Sequence, residues 1–355
     1  MRIPFLSATS LALFLLSSAP ALAQTTPTAS YDRIDLGKLN CKDGLFPKEE
    51  EKTGGEGWVN VRLNVQPDGR LTDLESINNA GRDSFITGTL RNFAKCRFSK
   101  PWQENGQPVA LTNIYMRIAY AQSPNRPGQG VKEKTQTIQQ LLAEGKLDDA
   151  AASLDEAEKA VNRLTELNDI ILLRAILMSK RGLDDISMLY LQEIPIGEAE
   201  AADSEDMAKV LRIRLGLELK LGLLASAEVT GRKLLKAKPQ PDDAALWTTL
   251  DKLRQLGASD QPMAIAGRVP AECRPMICDP AKPSWEYVPV HRTVSLADAK
   301  GRLDQVILRC TRKTVTIPAT TETAWTIPAK LGQCAVEVTG EPGATFTLID
   351  ETLPG

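Results

Sequence analysis

Six cysteines, one histidine and a few clustered carboxylates are the residues of this 355-residue chain whose types could support catalysis or metal binding. The densest group is Cys273-Arg-Pro-Met-Ile-Cys278, with His291 thirteen positions further on. Cys273, Met276, Cys278 and His291 together make a soft donor set of the kind that suits copper. Two neighbouring thiols also make a redox pair, but four residues separate these cysteines, where a thioredoxin-like motif has two and a βαβ context. A structural Cys273–Cys278 disulfide is the first reading, because an oxidising compartment disfavours free thiolates. The thiol-redox and soft-metal readings stand as alternatives.

The remaining chemical candidates are weaker. His291 lies in the extended Val288-Pro-Val-His-Arg-Thr stretch, and the chain has no Gly-x-Ser-x-Gly nucleophile motif. It reads as a surface or turn residue. Glu49-Glu50-Glu51 and Asp148-Asp149 have no partners at metal-ligand spacing, and neither HExxH nor an Asp-x-Asp loop occurs. They read as solvated faces. Gly54-Gly55-Glu56-Gly57 runs into a strand rather than a helix, so it does not cradle phosphate. The expectation is a protein that is not an enzyme, with no catalytic, cofactor-binding or metal-binding residues.

Composition places the chain among globular proteins, with 42% hydrophobic and 25% charged residues. A formal charge of −2 points to neither nucleic acid nor an anionic membrane as partner. The N-terminus carries Arg2, the apolar run Leu11 to Leu16, and Ala21-Leu22-Ala23 as a cleavage site before Gln24. Residues 1–23 are thus read as a signal peptide cleaved after Ala23, which leaves a periplasmic protein of charge −3 without a membrane span. The apolar run is short of the ~20 residues that cross a bilayer; an uncleaved anchor is the alternative. All six cysteines lie beyond the signal, and an even number in an exported chain reads as a disulfide framework.

Three regions must position whatever this chain presents. In the first, residues 31–121, Val59, Val61, Leu63 and Val65 alternate with Trp58, Asn60, Arg62 and Asn64, and Pro67-Asp68-Gly69 turns the chain. That pattern predicts a half-buried strand entering a hairpin. Leu71, Leu74 and Ile77 follow, then a helix over Asp83 to Lys95 with Ile86, Leu90 and Phe93 on one face. Ile114, Met116, Ile118 and Tyr120 alternate with Tyr115, Arg117 and Ala119 in a closing strand. Strand, strand, helix, strand is an α+β unit with a small antiparallel sheet.

Residues from about 41 to 121 resemble the C-terminal domain of the TonB family of energy transducers. The motifs are Phe46-Pro47, Gly54-Gly55-Glu56-Gly57-Trp58-Val59, Asp68-Gly69, Arg97-Phe98-Ser99-Lys100-Pro101 and Gly106-Gln107-Pro108-Val109, in the family's order and spacing. Two positions depart: Phe46 replaces a tyrosine, and Cys96 replaces the tryptophan before Arg-Phe. With Cys41 just ahead of Phe46-Pro47, a Cys41–Cys96 disulfide would tie the start of the domain to the helix end. The resemblance implies that the last strand offers its edge to an extended peptide of an outer-membrane transporter. The matching residues are Asn113, Ile114, Tyr115, Met116, Arg117, Ile118, Ala119 and Tyr120, with backbone amides carrying the binding. The family's N-terminal membrane helix and long Pro-rich spacer have no counterpart, which favours scaffolding over transmission of force. A membrane-anchored transducer for outer-membrane transport, its N-terminus uncleaved, is the alternative.

Residues 122–130 read as a turn-rich linker and residues 131–260 as helical hairpins. Gly145 is followed by Ala150, Leu154 and Ala157; Gly182 by Ser187, Leu191 and Ile194; Gly222 by Ala227, Gly231 and Leu234. The offsets repeat, and the glycines are 37 and 40 residues apart, so the region resembles a three-unit tetratricopeptide array; a plain helical bundle is the alternative. Such arrays bind peptides or proteins on a concave face. Residues 261–289 read as a Pro-rich connector and residues 290–355 as a small β-domain, sandwich-like. There Val306, Leu308 and Cys310 share one face, as do Cys334, Val336 and Val338, which suits a Cys310–Cys334 disulfide. The whole is an α+β multidomain protein whose expected role is protein–protein interaction or scaffolding.

Overall fold

The computed structural model describes residues 38–41, 46–100, 102–121, 129–161, 163–196 and 198–352. The signal peptide read over residues 1–23, with its cleavage after Ala23, and residues 122–128 of the linker lie outside the described residues. Gln129 and Gly130, read as the end of the linker, begin a helix.

The first region runs β1 (Leu39–Cys41), α1 (Lys48–Thr53), β2 (Gly57–Val65), β3 (Leu71–Ala80), α2 (Asp83–Phe93), β4 (Cys96–Phe98), β5 (Gln103–Glu104), β6 (Gln107–Pro108) and β7 (Leu111–Tyr120). The main sheet is antiparallel in the order β3-β2-β7. Val59, Val61, Leu63 and Val65 are buried against α2, as their alternation predicts. The helix face is turned slightly from expectation: Phe85, Thr89 and Phe93 are fully buried, whereas Ile86 and Leu90 flank the core. The cause is Tyr120, whose ring stacks on Phe85 at 5.1 Å and whose hydroxyl lies 2.5 Å from Thr89 Oγ1. Phe46 meets the same ring edge-on at 5.3 Å, so a phenyl suffices there. Gly88 leaves room for Pro47, whose Cγ would lie 2.7 Å from an added Cβ.

β1 and β4 pair antiparallel with Cys41 directly opposite Cys96, and the two are joined by a disulfide. One residue of the Glu49-Glu50-Glu51 cluster departs from the solvated reading, while Glu51 is exposed. Glu50 is buried, taking a hydrogen bond from Ser84 Oγ at 2.5 Å and an ion pair from Arg82 at 3.2 Å. Residues 48–53 wind into a helical turn that faces the start of α2, and this draws Glu50 inward.

The second region is helical: α3 (Gln129–Ala143), α4 (Leu147–Ala160), α5 (Leu164–Lys180), α6 (Asp184–Gln192), α7 (Glu198–Asp203), α8 (Glu205–Lys220), α9 (Leu224–Leu234) and α10 (Asp243–Gly257). Gly145, Gly182 and Gly222 each stand between two helices, with φ of +74°, +75° and +74°. At all three the following N–H reaches back five residues: Lys146 to Leu141 O, Leu183 to Met178 O, and Leu223 to Glu218 O. The glycine N–H reaches back three. This is a Schellman cap, and its left-handed residue is why glycine recurs there. Ala150, Ser187 and Ala227, five positions after each glycine, are all buried where the helices of a pair meet. α5 is apolar around most of its circumference, with Leu167, Ile170, Ile171, Leu173, Leu177 and Met178 buried. Such a helix belongs at the centre, and α5 packs on α3, α4, α6 and β2.

The third region is β8 (Met263–Arg268), β9 (Ser284–Tyr287), β10 (Thr293–Lys300), β11 (Leu303–Cys310), β12 (Thr314–Pro318), β13 (Ala324–Thr326), β14 (Cys334–Gly340) and β15 (Thr345–Glu351). Two antiparallel four-stranded sheets, β13-β10-β15-β8 and β12-β11-β14-β9, close on a shared core that includes Ile265, Leu296, Val306, Val336 and Leu348. The stretch read as a connector supplies one strand to each sheet. Its prolines punctuate the loop between β8 and β9, which the disulfide Cys273–Cys278 also staples. Cys310 and Cys334 sit opposite each other on β11 and β14 and form the third disulfide.

Candidate protein-interaction site

β7 is an edge strand: among the described residues its only strand neighbour is β2. Its side chains alternate as the sequence predicts. Ile114, Ile118 and Tyr120 enter the core, Met116 is half-buried beside them, and Tyr115 and Ala119 are exposed. Asn113 marks a bulge. Its φ is +56°, its N–H donates to Asn64 Oδ1 at 3.0 Å, and its side-chain amide donates to Cys310 O at 2.8 Å. Thr112 N–H donates to Thr311 O at 2.9 Å. The first end of the strand is therefore docked on the β-domain, and the stretch without an outer strand neighbour among the described residues is Ile114 to Tyr120.

The other face of this sheet is covered, which the half-buried pattern did not foretell. Trp58 and Asn60 are as buried as the core valines. Arg117 lies 4.0 Å above the Trp58 ring and donates to Glu193 Oε2 at 2.7 Å and to Glu193 O at 2.6 Å. Asn60 and Asn78 each donate to the same carboxylate at 2.8 Å. Glu193, at the end of α6, thus collects three donors from three strands. Burial pushes its carboxyl pKa up, against the pull of Arg117 and the two amides. A second contact runs from Leu164 N–H to Glu56 Oε2 at 3.0 Å. Nothing in the sequence singles out Glu193. The only available signal was a tryptophan and two asparagines on a supposedly wet strand face.

The β-domain touches both other regions. Arg312 donates to Ala110 O at 2.8 Å and pairs with Glu104. Leu223, Leu253 and Leu256 of the helices join the sandwich core, and Asn79 N–H donates to Pro275 O at 2.7 Å. Between the three regions lies a cleft of about 1040 Å³. Tyr115 projects into it, 42% exposed. Arg62 stands on its wall, 3.2 Å from Glu286, 3.5 Å from Glu337 and 3.7 Å from Glu75. Desolvation pushes the Glu286 carboxyl up despite Arg62.

The residues first considered for chemistry lie in disulfides and buried hydrogen bonds. All six cysteines are in disulfides. Cys273 and Cys278 are joined to each other, and with Met276 they pack on the helical core. His291 is elsewhere and, contrary to expectation, buried. Its Nδ1 lies 3.3 Å from Asp350 Oδ1, and its own N–H donates to that oxygen at 2.9 Å. Asp350 also accepts from Tyr287 Oη at 3.0 Å and from Val290 N–H at 2.7 Å. The turn before β10 folds over the end of β15 to fill these acceptors, and that buries the ring. The soft-donor set is not brought together, and no three of the described His, Cys, Asp or Glu side chains cluster as a metal site. Among the described residues, no helix is long and apolar enough to cross a membrane.

An antiparallel sheet backed by one helix, with its last strand at an edge, defines a small α+β module suited to strand addition. Residues 44–121 match the family described as Gram-negative bacterial TonB protein C-terminal. The match covers under a quarter of the chain and ends one residue past β7. Comparison with the curated proteins found no match.

Proposed function

We propose that this chain is a periplasmic, non-enzymatic interaction protein that holds an extended segment of a protein partner along the outer edge of β7. The observation that carries this reading is that β7, the last strand of the TonB-like segment, has a sheet neighbour on one side only among the described residues. In that family the corresponding edge receives a peptide of an outer-membrane transporter, and such a segment is the partner proposed here. The stretch Ile114 to Tyr120 would bind through backbone amides, which is why its side chains need no special chemistry.

The role is scaffolding. Glu193, Glu56 and the Asn113–Cys310 contact fasten the module to the other two regions, so the strand edge is presented on a fixed support. The three helix pairs, with their repeated glycine caps and buried small residues, support a tetratricopeptide-like reading of the support itself. A proline scan over residues 115–119 tests the proposal. Along an edge strand, alternate N–H groups face the neighbour and the outside, and proline is tolerated only at the outward ones. Folded variants with an outward proline should lose capture of outer-membrane proteins from a detergent extract. Folded variants that capture as well as wild type would refute strand addition at β7.

A further inference from the structure

Along the outer side of β7, the β-domain has taken the first few positions for itself. Thr112 N–H donates to Thr311 O at 2.9 Å, in the manner of a neighbouring strand. Thr112 Oγ1 donates to Cys310 O at 2.7 Å, and the Asn113 amide donates to that oxygen at 2.8 Å and to Thr314 Oγ1 at 3.1 Å. Arg312 Nη1 completes the contact on Ala110 O at 2.8 Å. Residues 110–113 are thus engaged by the turn between β11 and β12. That turn is braced from behind. Cys310 N–H donates across it to Lys313 O at 3.2 Å, Thr311 N–H to Gln333 O at 2.9 Å, and Arg312 N–H to Leu331 O at 3.2 Å. The Cys310–Cys334 disulfide fixes its base. A strand laid along Ile114 to Tyr120 therefore meets a stop at Asn113, whereas toward Tyr120 no described strand borders that side.

Strand direction and charge together select which end of a chain reaches this stop. The β3-β2-β7 sheet is antiparallel throughout, and antiparallel pairing is the more stable per residue. A strand added antiparallel to β7 runs from Tyr120 toward Ile114, so its carboxyl end arrives at Asn113. The turn there carries Arg312 and Lys313, and Lys330 is the neighbour of Leu331, whose carbonyl braces it. Arg312 pairs with Glu104. Lys313 and Lys330 are exposed and enter no ion pair with the described residues. Asp73 lies across β2, on β3, where Asn64 Nδ2 holds it at 2.7 Å. A terminal carboxylate gains from the two unpaired ammonium groups, and an amino terminus is repelled by them.

We propose that β7 receives the free carboxyl-terminal end of its partner, antiparallel along Ile114 to Tyr120, with the terminal carboxylate against the Arg312–Lys313 turn. This rests on the reading of β7 as a docking edge and adds which part of a partner fits it. The probe is a library of random heptapeptides following a small carrier domain, selected on the full mature chain in two formats. In one the heptapeptide ends in a free carboxylate; in the other it continues into a second carrier domain. Enrichment is expected in the free-end format alone, and a synthetic peptide of the enriched sequence should protect amides within Ile114 to Tyr120 from hydrogen exchange. Amidating its carboxyl end, or extending that end by three residues, should weaken binding about tenfold, and extending its amino end should change nothing. In the Lys313→Gln/Lys330→Gln variant, whose altered side chains are exposed, the free acid should bind about fivefold more weakly and lose most of its salt dependence, while the amide is unaffected. Equal enrichment of both formats, or equal affinity of acid, amide and extended peptide, overturns the proposal; protection of Ile114 to Tyr120 in that case leaves β7 standing as a docking edge. No enrichment in either format, or protection elsewhere on the chain, overturns the proposal together with the reading of β7.

Discussion

Replacing Glu193 with alanine should undock the TonB-like sheet from the helices. The carboxylate is buried and accepts from Asn60, Asn78 and Arg117 at 2.7–2.8 Å. Glu193→Ala takes the carboxylate from two buried amides and a guanidinium only 18% exposed. Arg117 keeps the Glu193 carbonyl and Asn60 keeps Asn78 Oδ1, but the charge of Arg117 loses its counter-ion. Breaking a buried ion pair by deleting one partner costs about 3–5 kcal/mol, a large fraction of the ~5–15 kcal/mol that holds a domain together. Glu193→Gln keeps one acceptor oxygen and should cost less, about 1–3 kcal/mol. Urea denaturation measures the loss, and hydrogen exchange across Trp58 to Arg62 reports undocking directly. In a double-mutant cycle with Arg117→Ala, the coupling should be about 2 kcal/mol. The pH dependence has a definite sign. Because burial raises the Glu193 pKa, the folded state keeps this proton to a higher pH than the unfolded chain does. Between the ordinary glutamate range and the raised value, the site's contribution to stability therefore falls as pH rises, and Glu193→Gln should remove that slope. A loss under 1 kcal/mol in Glu193→Ala, or a loss without faster exchange on β2, would refute the latch.

Other expectations follow from single contacts. Replacing Cys41 and Cys96 with serine opens a loop of 55 residues and should cost about 4 kcal/mol by loop-closure entropy, read from denaturation with and without reductant. Asp350→Ala strands the Tyr287 hydroxyl and the Val290 and His291 amides, and should lower stability by at least about 3 kcal/mol in a thermal scan. Ile170→Ala, in the fully buried centre of α5, should cost about 2–5 kcal/mol and lower the midpoint of helix unfolding by circular dichroism. Intact-mass measurement of the exported protein should give an N-terminus at Gln24; a mass that includes Met1 would favour the anchored alternative.

Local order was legible where the pattern is local. Alternation in β2 and β7, the Gly-capped helix turns and the paired cysteines of β11 and β14 all follow from periods of two or from one left-handed residue. What escaped was decided by contacts far apart in the chain. Asn60 is polar and lies on the strand face that alternation assigns to water, yet it is buried because α6 brings Glu193 to it from 133 residues away. His291 looked like a turn residue and is one, but Asp350, 59 residues on, pulls its ring inside. The Pro-rich segment hid β8 and β9 because each is short and their partners, β15 and β14, come much later. The β7 edge proposed for binding was visible from motif order. The cleft was not, since each of its three walls is unremarkable in sequence alone.

The contacts between regions also have a shape. The sheet meets the helices at Glu193, the helices meet the sandwich at Leu223 and Leu256, and the sandwich meets the sheet at Asn113 and Arg312. Three bodies joined in a row can bend at either joint, but three joined pairwise make a triangle, which cannot deform without stretching a side. The cleft at its middle therefore keeps its width as long as every side holds. Loss of any one side turns the triangle into an open chain with two hinges, so a local change far from the cleft would alter how wide it stands.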